Sequence, residues 1–321
     1  MDNVIDKNRR FYERRVAAMI SEEFPEYEDR IAVGIVGEGS DCFGYDDEIS
    51  RDHDFGTGVC LWLTDADMAL FGERLSAAYN ELVDSEERAF FTERLRERRG
   101  VMTIRRFYSN ILNVDCDAES GFLTEDEWMR LDHSCLKTAT NGEVFRDDPG
   151  VFTAFRRYLM GYYPDRVRRA RIAQQLHEYA SAFQVNYARC MTRGDTVAAE
   201  LCRARGISSA MELFFLLKRE YPPYYKWTFR ALGELDDEGV LSAKLYELSR
   251  LRIDTEAWEG TRYHPNRQHY KDRIVSLSEE IACELEDMLI KAGMSRARGR
   301  YLEAHVEAVL AGTKQPRRAD M

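Results

Sequence analysis

Apolar side chains recur at helical spacing near the start of the chain, at Tyr12, Val16, Met19, Ile20 and Phe24, and the run stops at Pro25. The spacing predicts one amphipathic helix, ended by a residue that cannot donate a backbone N–H. Its other face carries Arg9, Arg10, Arg14 and Arg15, a solvated charge band. Residues 31–36 (Ile-Ala-Val-Gly-Ile-Val) then form a short β-branched block closed by Gly37, Gly39 and Ser40, which predicts a buried strand running into a tight turn. A second block, 58–63 (Gly-Val-Cys-Leu-Trp-Leu), predicts another strand; 65–83 and 85–98 predict helices, and 101–108 a third strand. Alternating strands and helices point to an α/β or α+β domain.

Beyond residue 149 the texture changes. Helical periods dominate at 165–191, 195–219, 238–252, 267–292 and 298–312, with breaks at Pro164, Gly194, Pro222, Pro223 and Gly293. Such a series predicts a helical bundle. The expected architecture is therefore α+β: a mixed sheet with flanking helices in residues 1–148, a helical domain in 149–313 and a frayed tail over 314–321.

Composition removes several function classes. The chain is 44% hydrophobic and 12% aromatic with only 7 Pro, so it has ample material for a core and is not a disordered sequence. Lys and Arg number 46 against 57 Asp and Glu, a net charge of −11, which weighs against a surface that tracks duplex nucleic acid. Its 7 cysteines lack any C-x-x-C pair or zinc-type His spacing and read as reduced core thiols. No apolar run approaches the roughly 18–20 residues that span a bilayer, and the first residues carry no apolar targeting segment, so a cytoplasmic protein without a membrane partner is expected.

The candidate chemistry lies in residues 36–55. A strand delivers Gly39 and Ser40, eleven residues intervene, and a second strand is expected to begin with two carboxylates in alternate positions, Asp52-His53-Asp54. In an extended segment alternate residues share a face, so Asp52 and Asp54 project together and His53 projects away, as a hydrogen-bonded core residue would. Two fixed carboxylates repel unless a hard cation lies between them, and Mg²⁺ prefers carboxylate and phosphate oxygens. Gly39 lets backbone approach a bulky anion, and Ser40 offers a hydroxyl and an amide to phosphate. The bland alternative is an acidic pair at a strand edge.

A Gly-Ser pair followed after about ten residues by D-x-D resembles the core motif of the polymerase-β-type nucleotidyltransferases. Four further stretches, 141–145 (Asn-Gly-Glu-Val-Phe), 162–164 (Tyr-Tyr-Pro), 184–189 (Gln-Val-Asn-Tyr-Ala-Arg) and 222–227 (Pro-Pro-Tyr-Tyr-Lys-Trp), resemble a bacterial domain-of-unknown-function family. That family pairs such a core with a helical domain similar to that of kanamycin nucleotidyltransferase. The resemblance implies that Asp52 and Asp54 bind one or two Mg²⁺ ions and that Gly39 and Ser40 hold a nucleoside triphosphate. It further implies that a nucleoside monophosphate passes to a hydroxyl acceptor with loss of pyrophosphate. The acceptor itself is not specified by the sequence.

One departure from the superfamily pattern bears on activity. The third carboxylate many members carry on the next strand has no counterpart in 101–108, and the nearest acids, Asp115 and Asp117, read as loop residues. A Glu of the helical half, such as Glu178 or Glu212, is a candidate base. In that half Arg189 and Lys226 are candidate nucleotide contacts, and Gln184, Asn186, Tyr224 and Tyr225 candidate substrate contacts; surface ion pairs and an aromatic helix start explain the same residues equally well. The missing carboxylate leaves open an inactive nucleotide-binding sensor or interaction protein on the same fold.

Overall fold

In the computed structural model, which describes residues 4–45, 57–85, 98–117, 122–265 and 267–312, the opening apolar stripe becomes one continuous helix. This helix, α1, joins Val4–Phe11, the π-helical turn Tyr12–Val16 and Ala17–Glu23. Its apolar face buries Phe11, Val16, Met19 and Ile20 against the sheet, as the spacing requires. Its arginine band is only partly solvated: Arg9 pairs with the Glu143 carboxylate and lies over the Phe145 ring.

The strands are β1 (Ala32–Ile35), β2 (Cys60–Leu63), β3 (Gly100–Thr103) and β4 (Glu143–Arg146). They form one sheet in the order β3-β2-β1-β4, with β2 and β3 parallel and β1 antiparallel to both β2 and β4. Between β2 and β3 runs α2, made of Asp65–Asp67, a π turn Met68–Gly72 and Glu73–Ser85, and its N-terminus is capped by Thr64, whose hydroxyl accepts the Asp67 amide at 3.1 Å. The expected helix over 85–98 falls almost wholly outside the described residues, as does the tail over 314–321.

Both central strands are buried along their whole length, because each sheet face is covered. On one face Val33, Leu61 and Leu63 meet α1 and the Phe71, Leu75, Tyr79 and Val83 side of α2. On the other, Trp62 stacks on Phe152 with ring centroids 3.8 Å apart and meets Phe107 edge-on at 5.3 Å. Gly34 makes this approach feasible, since a Cβ there would lie 2.5 Å from the Glu143 carbonyl oxygen and 3.0 Å from the Trp62 ring.

The block 101–108 is not one strand. It splits at Thr103, whose hydroxyl accepts the Arg106 amide at 3.0 Å and starts helix α3 (Ile104–Leu112). Ile104, Phe107, Tyr108 and Leu112 are buried at helical spacing, a period hidden in the sequence by the preceding Val101 and Met102. Short helices α4 (Glu125–Arg130) and α5 (His133–Thr140), not anticipated from the sequence, lead to β4, and α6 (Val151–Met160) follows.

Two compact units result, Met1–Tyr162 and Tyr163–Met321. The division lies one helix beyond the sequence boundary at 148/149, because Phe152 and Phe155 of α6 pack on Trp62 and Tyr108. The second unit is mostly helical: α7 (Asp165–Tyr179, the π segment Ala180–Tyr187 and Ala188–Thr192), α8 (Thr196–Lys218), α9 (Tyr225–Leu235), α10 (Val240–Arg250), α11 (Arg273–Lys291) and α12 (Leu302–His305 with Val306–Ala311). Buried Arg168 of α7 donates to the Leu216 and Leu217 carbonyls at 3.0 and 3.2 Å, satisfying two of the carbonyls orphaned at the end of α8. Among the described residues no helix is long and apolar enough to cross a membrane. The cysteines of these residues are free thiols, Cys42, Cys60 and Cys116 buried and the others half-buried.

The crossing of α7 and α8 depends on Gly206, where an added Cβ would come 2.1 Å from the buried Phe183 ring. In an open helix Gly→Ala gains roughly 0.5–1 kcal/mol, but overpacking costs about 1–3 kcal/mol. Gly206→Ala is therefore expected to lower stability, measured by urea unfolding; a stabilised variant would show that the crossing is not close-packed.

Candidate functional site

The ladder between β1 and β2 ends at the pair Gly34 and Cys60. Past that point the backbone is still buried, and its polar groups must find other partners. Side chains supply them. Asn141, 7% exposed, accepts the Gly37 amide at 2.9 Å and donates to the Gly37 carbonyl at 2.8 Å, a two-bond clamp that imitates one step of a ladder. At the entry to β2, the Gly58 amide donates to Asn8 Oδ1 at 2.8 Å, while the Tyr79 hydroxyl accepts the Val59 amide at 2.7 Å and donates to its carbonyl at 3.0 Å.

Between these clamps the chain makes the predicted turn. Gly37 and Gly39 have φ of 120° and 115°, in the region that favours glycine, and Ser40 leads into a 3-10 turn, Asp41–Phe43. A Cβ on Gly39 would also fall 2.2 Å from Asp41 Oδ1. The Ser40 carbonyl accepts the Phe43 and Tyr45 amides, and Asp41 accepts the Cys42 amide. The backbone amides of Glu38, Gly39 and Ser40 have no hydrogen-bond acceptor among the described residues.

Charge at the turn is set by two consecutive arginines. Arg99, 3% exposed, donates through Nη2 to Asp41 Oδ2 at 2.8 Å and to Cys42 Sγ at 3.1 Å, and its Nη1 is buried without a hydrogen-bond partner among the described residues. Arg98 Nε lies 3.3 Å from Glu38 Oε2. Burial pushes the Cys42 and Cys60 thiols up, so both are neutral near pH 7 and neither suits a nucleophile. The two carboxylates within the described turn, Glu38 and Asp41, are thus each paired with an arginine.

Asp52, His53 and Asp54 lie outside the described residues. Among the described residues no group of three or more His, Cys, Asp or Glu is arranged to hold a metal ion. Strand β3 carries no carboxylate, and Asp115 is engaged by Arg105 through Nε at 2.8 Å and Nη2 at 2.6 Å.

The structure places the other candidates in the helical unit in different environments. Gln184 is a core residue: its Nε2 donates to Glu279 Oε1 at 2.9 Å and the Arg300 carbonyl at 2.7 Å, and its Oε1 accepts the Leu302 amide at 3.0 Å. Its amide is spent on the fold. Asn186 donates to Ser181 Oγ, and exposed Arg189 lies over Tyr263. Lys226 is exposed over the Tyr224 and Trp227 rings, and Tyr225 is 89% exposed. The two cations therefore rest on different aromatic platforms. Glu212 accepts from Gln175 at 2.7 Å, and Glu178 is exposed.

Residues 128–228 match the family described as a domain of unknown function, DUF4037. The match covers less than half of the chain. It includes Asn141, β4, α6 and the whole α7–α8 hairpin, but not β1, Gly39, Ser40, Asp52 or Asp54. No curated protein and no solved structure matches the chain.

Asn141, Arg99, Asn8 and Tyr79 are the site residues the sequence reading missed as individual actors. Only Asn141 left a signal, in the turn-forming Asn141-Gly142 pair; the others act across long sequence separations.

Asn141→Ala leaves a buried donor and acceptor at Gly37 unpaired, each worth about 1–3 kcal/mol, so unfolding should show a loss of about 2–5 kcal/mol together with faster hydrogen exchange at Gly37. Another test concerns Glu279, whose burial raises its carboxyl pKa against the lowering effect of Gln184 and Arg300. A raised folded value means that its stabilising contribution is complete below the unfolded pKa of about 4.3 and is lost as pH rises through the folded value. Glu279→Gln keeps an acceptor for Gln184 and should flatten the fall of stability over that window; identical pH slopes in urea unfolding would sink the assignment.

Proposed function

We propose that the chain is a Mg²⁺-dependent nucleotidyltransferase that moves a nucleoside monophosphate from a nucleoside triphosphate to a hydroxyl acceptor, with release of pyrophosphate. The observation that carries this reading is the turn over residues 37–40. Three consecutive amides there, of Glu38, Gly39 and Ser40, have no acceptor among the described residues, and the turn is fixed by Asn141 and Arg99 at the end of the sheet. Backbone amides in such a concavity suit phosphate oxygens. The chain leaving this turn carries Asp52 and Asp54 before it enters β2 beside β1.

In this reading the Glu38, Gly39 and Ser40 amides and the Ser40 hydroxyl donate to the triphosphate. Asp52 and Asp54, a hard-oxygen donor pair, would hold the Mg²⁺. When bound, the ion supplies charge neutralisation on the triphosphate and the departing pyrophosphate. The acceptor oxygen bonds to the α-phosphorus, the bond from that phosphorus to the α,β-bridging oxygen breaks, and the hydroxyl proton passes to a base. Most of the rate then comes from positioning and charge stabilisation. Exposed Arg189 and Lys226 are proposed for nucleotide, and Asn186, Tyr224 and Tyr225 for the acceptor. Gln184 is not part of that set, because it is buried and its Nε2 donors and Oε1 already bind within the helical unit.

A second reading, a nucleotide-binding sensor or interaction protein without turnover, is favoured by β3, whose four residues offer no third carboxylate. Isothermal titration with Mg²⁺ and nucleoside triphosphates, run beside a pyrophosphate-release assay over a broad acceptor screen, separates the two. Asp52→Asn and Asp54→Asn are expected to fold normally and to lose Mg²⁺-supported nucleotide binding. Release of pyrophosphate that vanishes in Asp54→Asn supports the enzyme, and tight binding without turnover supports the sensor. Unchanged binding in both variants would refute both.

A further inference from the structure

We propose that the cleft beside the 37–40 turn is a pocket for an aminopurine, the base of the nucleotide whose phosphates the turn would hold; the identity of that base rests on the preceding reading, the pocket itself does not. The cleft is lined by Val36, Gly37, Glu38, Arg98, Met102 and three residues of α3, Phe107, Asn110 and Ile111, and encloses about 180 Å³. That is below the roughly 300–1,000 Å³ of sites that enclose a drug-sized ligand, and it suits a single ring system.

The floor and the rim differ in chemistry. Val36, Met102 and Phe107 are buried and apolar. Gly37 adds to the opening by having no side chain, since a Cβ there would meet only Phe107 at 3.5 Å and Ile111 at 3.8 Å. The Phe107 ring is fixed from behind by Trp62 at 5.3 Å, Phe152 at 5.4 Å and Tyr108 at 5.1 Å, so it presents a rigid wall to a flat ligand. At the rim stand a carboxylate, a guanidinium and a carboxamide: Glu38, Arg98 and Asn110.

This rim set selects among flat ligands. A carboxylate accepts from an exocyclic amine, a guanidinium donates to ring nitrogen or carbonyl oxygen, and a carboxamide does both, as in the pairings by which protein side chains read purine edges. Adenine and guanine each combine an exocyclic amine with ring acceptors. Hypoxanthine has the same bicyclic shape without the amine, and uracil is smaller and also lacks it. The Glu38 amide belongs to the turn while its side chain stands on the cleft rim, so one residue would join phosphate and base recognition.

The test measures binding of ATP, GTP, ITP and UTP with Mg²⁺, of inorganic tripolyphosphate, and of adenosine and guanosine, to the full chain and to Ile111→Trp and Asn110→Ala, each checked for folding by thermal unfolding. Expected are affinities for ATP or GTP at least about tenfold above those for ITP and UTP, the stronger of the two identifying the base. Ile111→Trp should fill the cleft and erase that preference while tripolyphosphate binding is retained, and Asn110→Ala should reduce the preference several-fold. Equal affinities for all four nucleotides, or a preference untouched by Ile111→Trp, would overturn the pocket and leave the phosphate turn standing. Adenosine or guanosine binding lost in Ile111→Trp, without any tripolyphosphate binding, would uphold the pocket and defeat the phosphate reading instead. If neither nucleosides nor tripolyphosphate bind, both fail.

Discussion

The first unit depends on satisfying buried backbone at the point where β1 and β2 stop pairing. A sheet solves its hydrogen-bond accounting only while its strands run side by side, and beyond Gly34 and Cys60 that solution ends inside a dry core. The chain does not bend the loop outward to water there. It brings amide and hydroxyl side chains from α1, α2 and the segment before β4 to the same end of the sheet. A loop anchored in this way keeps its shape without being covered, and an open turn with a fixed backbone is what a ligand-binding loop needs.

The Arg99 guanidinium adds a second constraint. It lies under the turn with Asp41 and Cys42, and its charge balances the carboxylate that Gly39 accommodates. A buried pair of this kind adds little net stability relative to an apolar pair, but breaking one partner is costly, which makes it a device for fixing a conformation. The pair of exposed Glu38 and half-buried Arg98 beside it has the opposite character, reachable from the cleft and less costly to rearrange. Together they give the turn a rigid underside and an adaptable rim.

Polar residues in the helical unit show why chemistry-bearing side chains cannot be sorted by type. Gln184 and Asp272 are hidden and fully used: the first binds Glu279 and two backbone groups, and the second caps α11 while accepting from Tyr187 and Trp258. Tyr225 and Lys226, a few residues apart from equally polar neighbours, are open to solvent. The difference is one of helix face and of what packs against it.

By itself the sequence determined the α1 stripe, the β1 and β2 blocks, the turn at Gly37 to Ser40 and the helical character of the second half, because each rests on local periodicity or on the backbone freedom of glycine. Periodicity failed at 101–108, where a strand and a helix share one apolar run and only the Thr103 cap divides them. Tertiary structure alone decided the rest. Asn141 reaches Gly37 across 104 residues, Arg99 reaches Asp41 across 58, and Gln184 is turned inward by contacts with α11 and the segment before α12. Partners so distant along the chain leave no local pattern, since what selects them is the cost of an unpaired polar group in a packed interior.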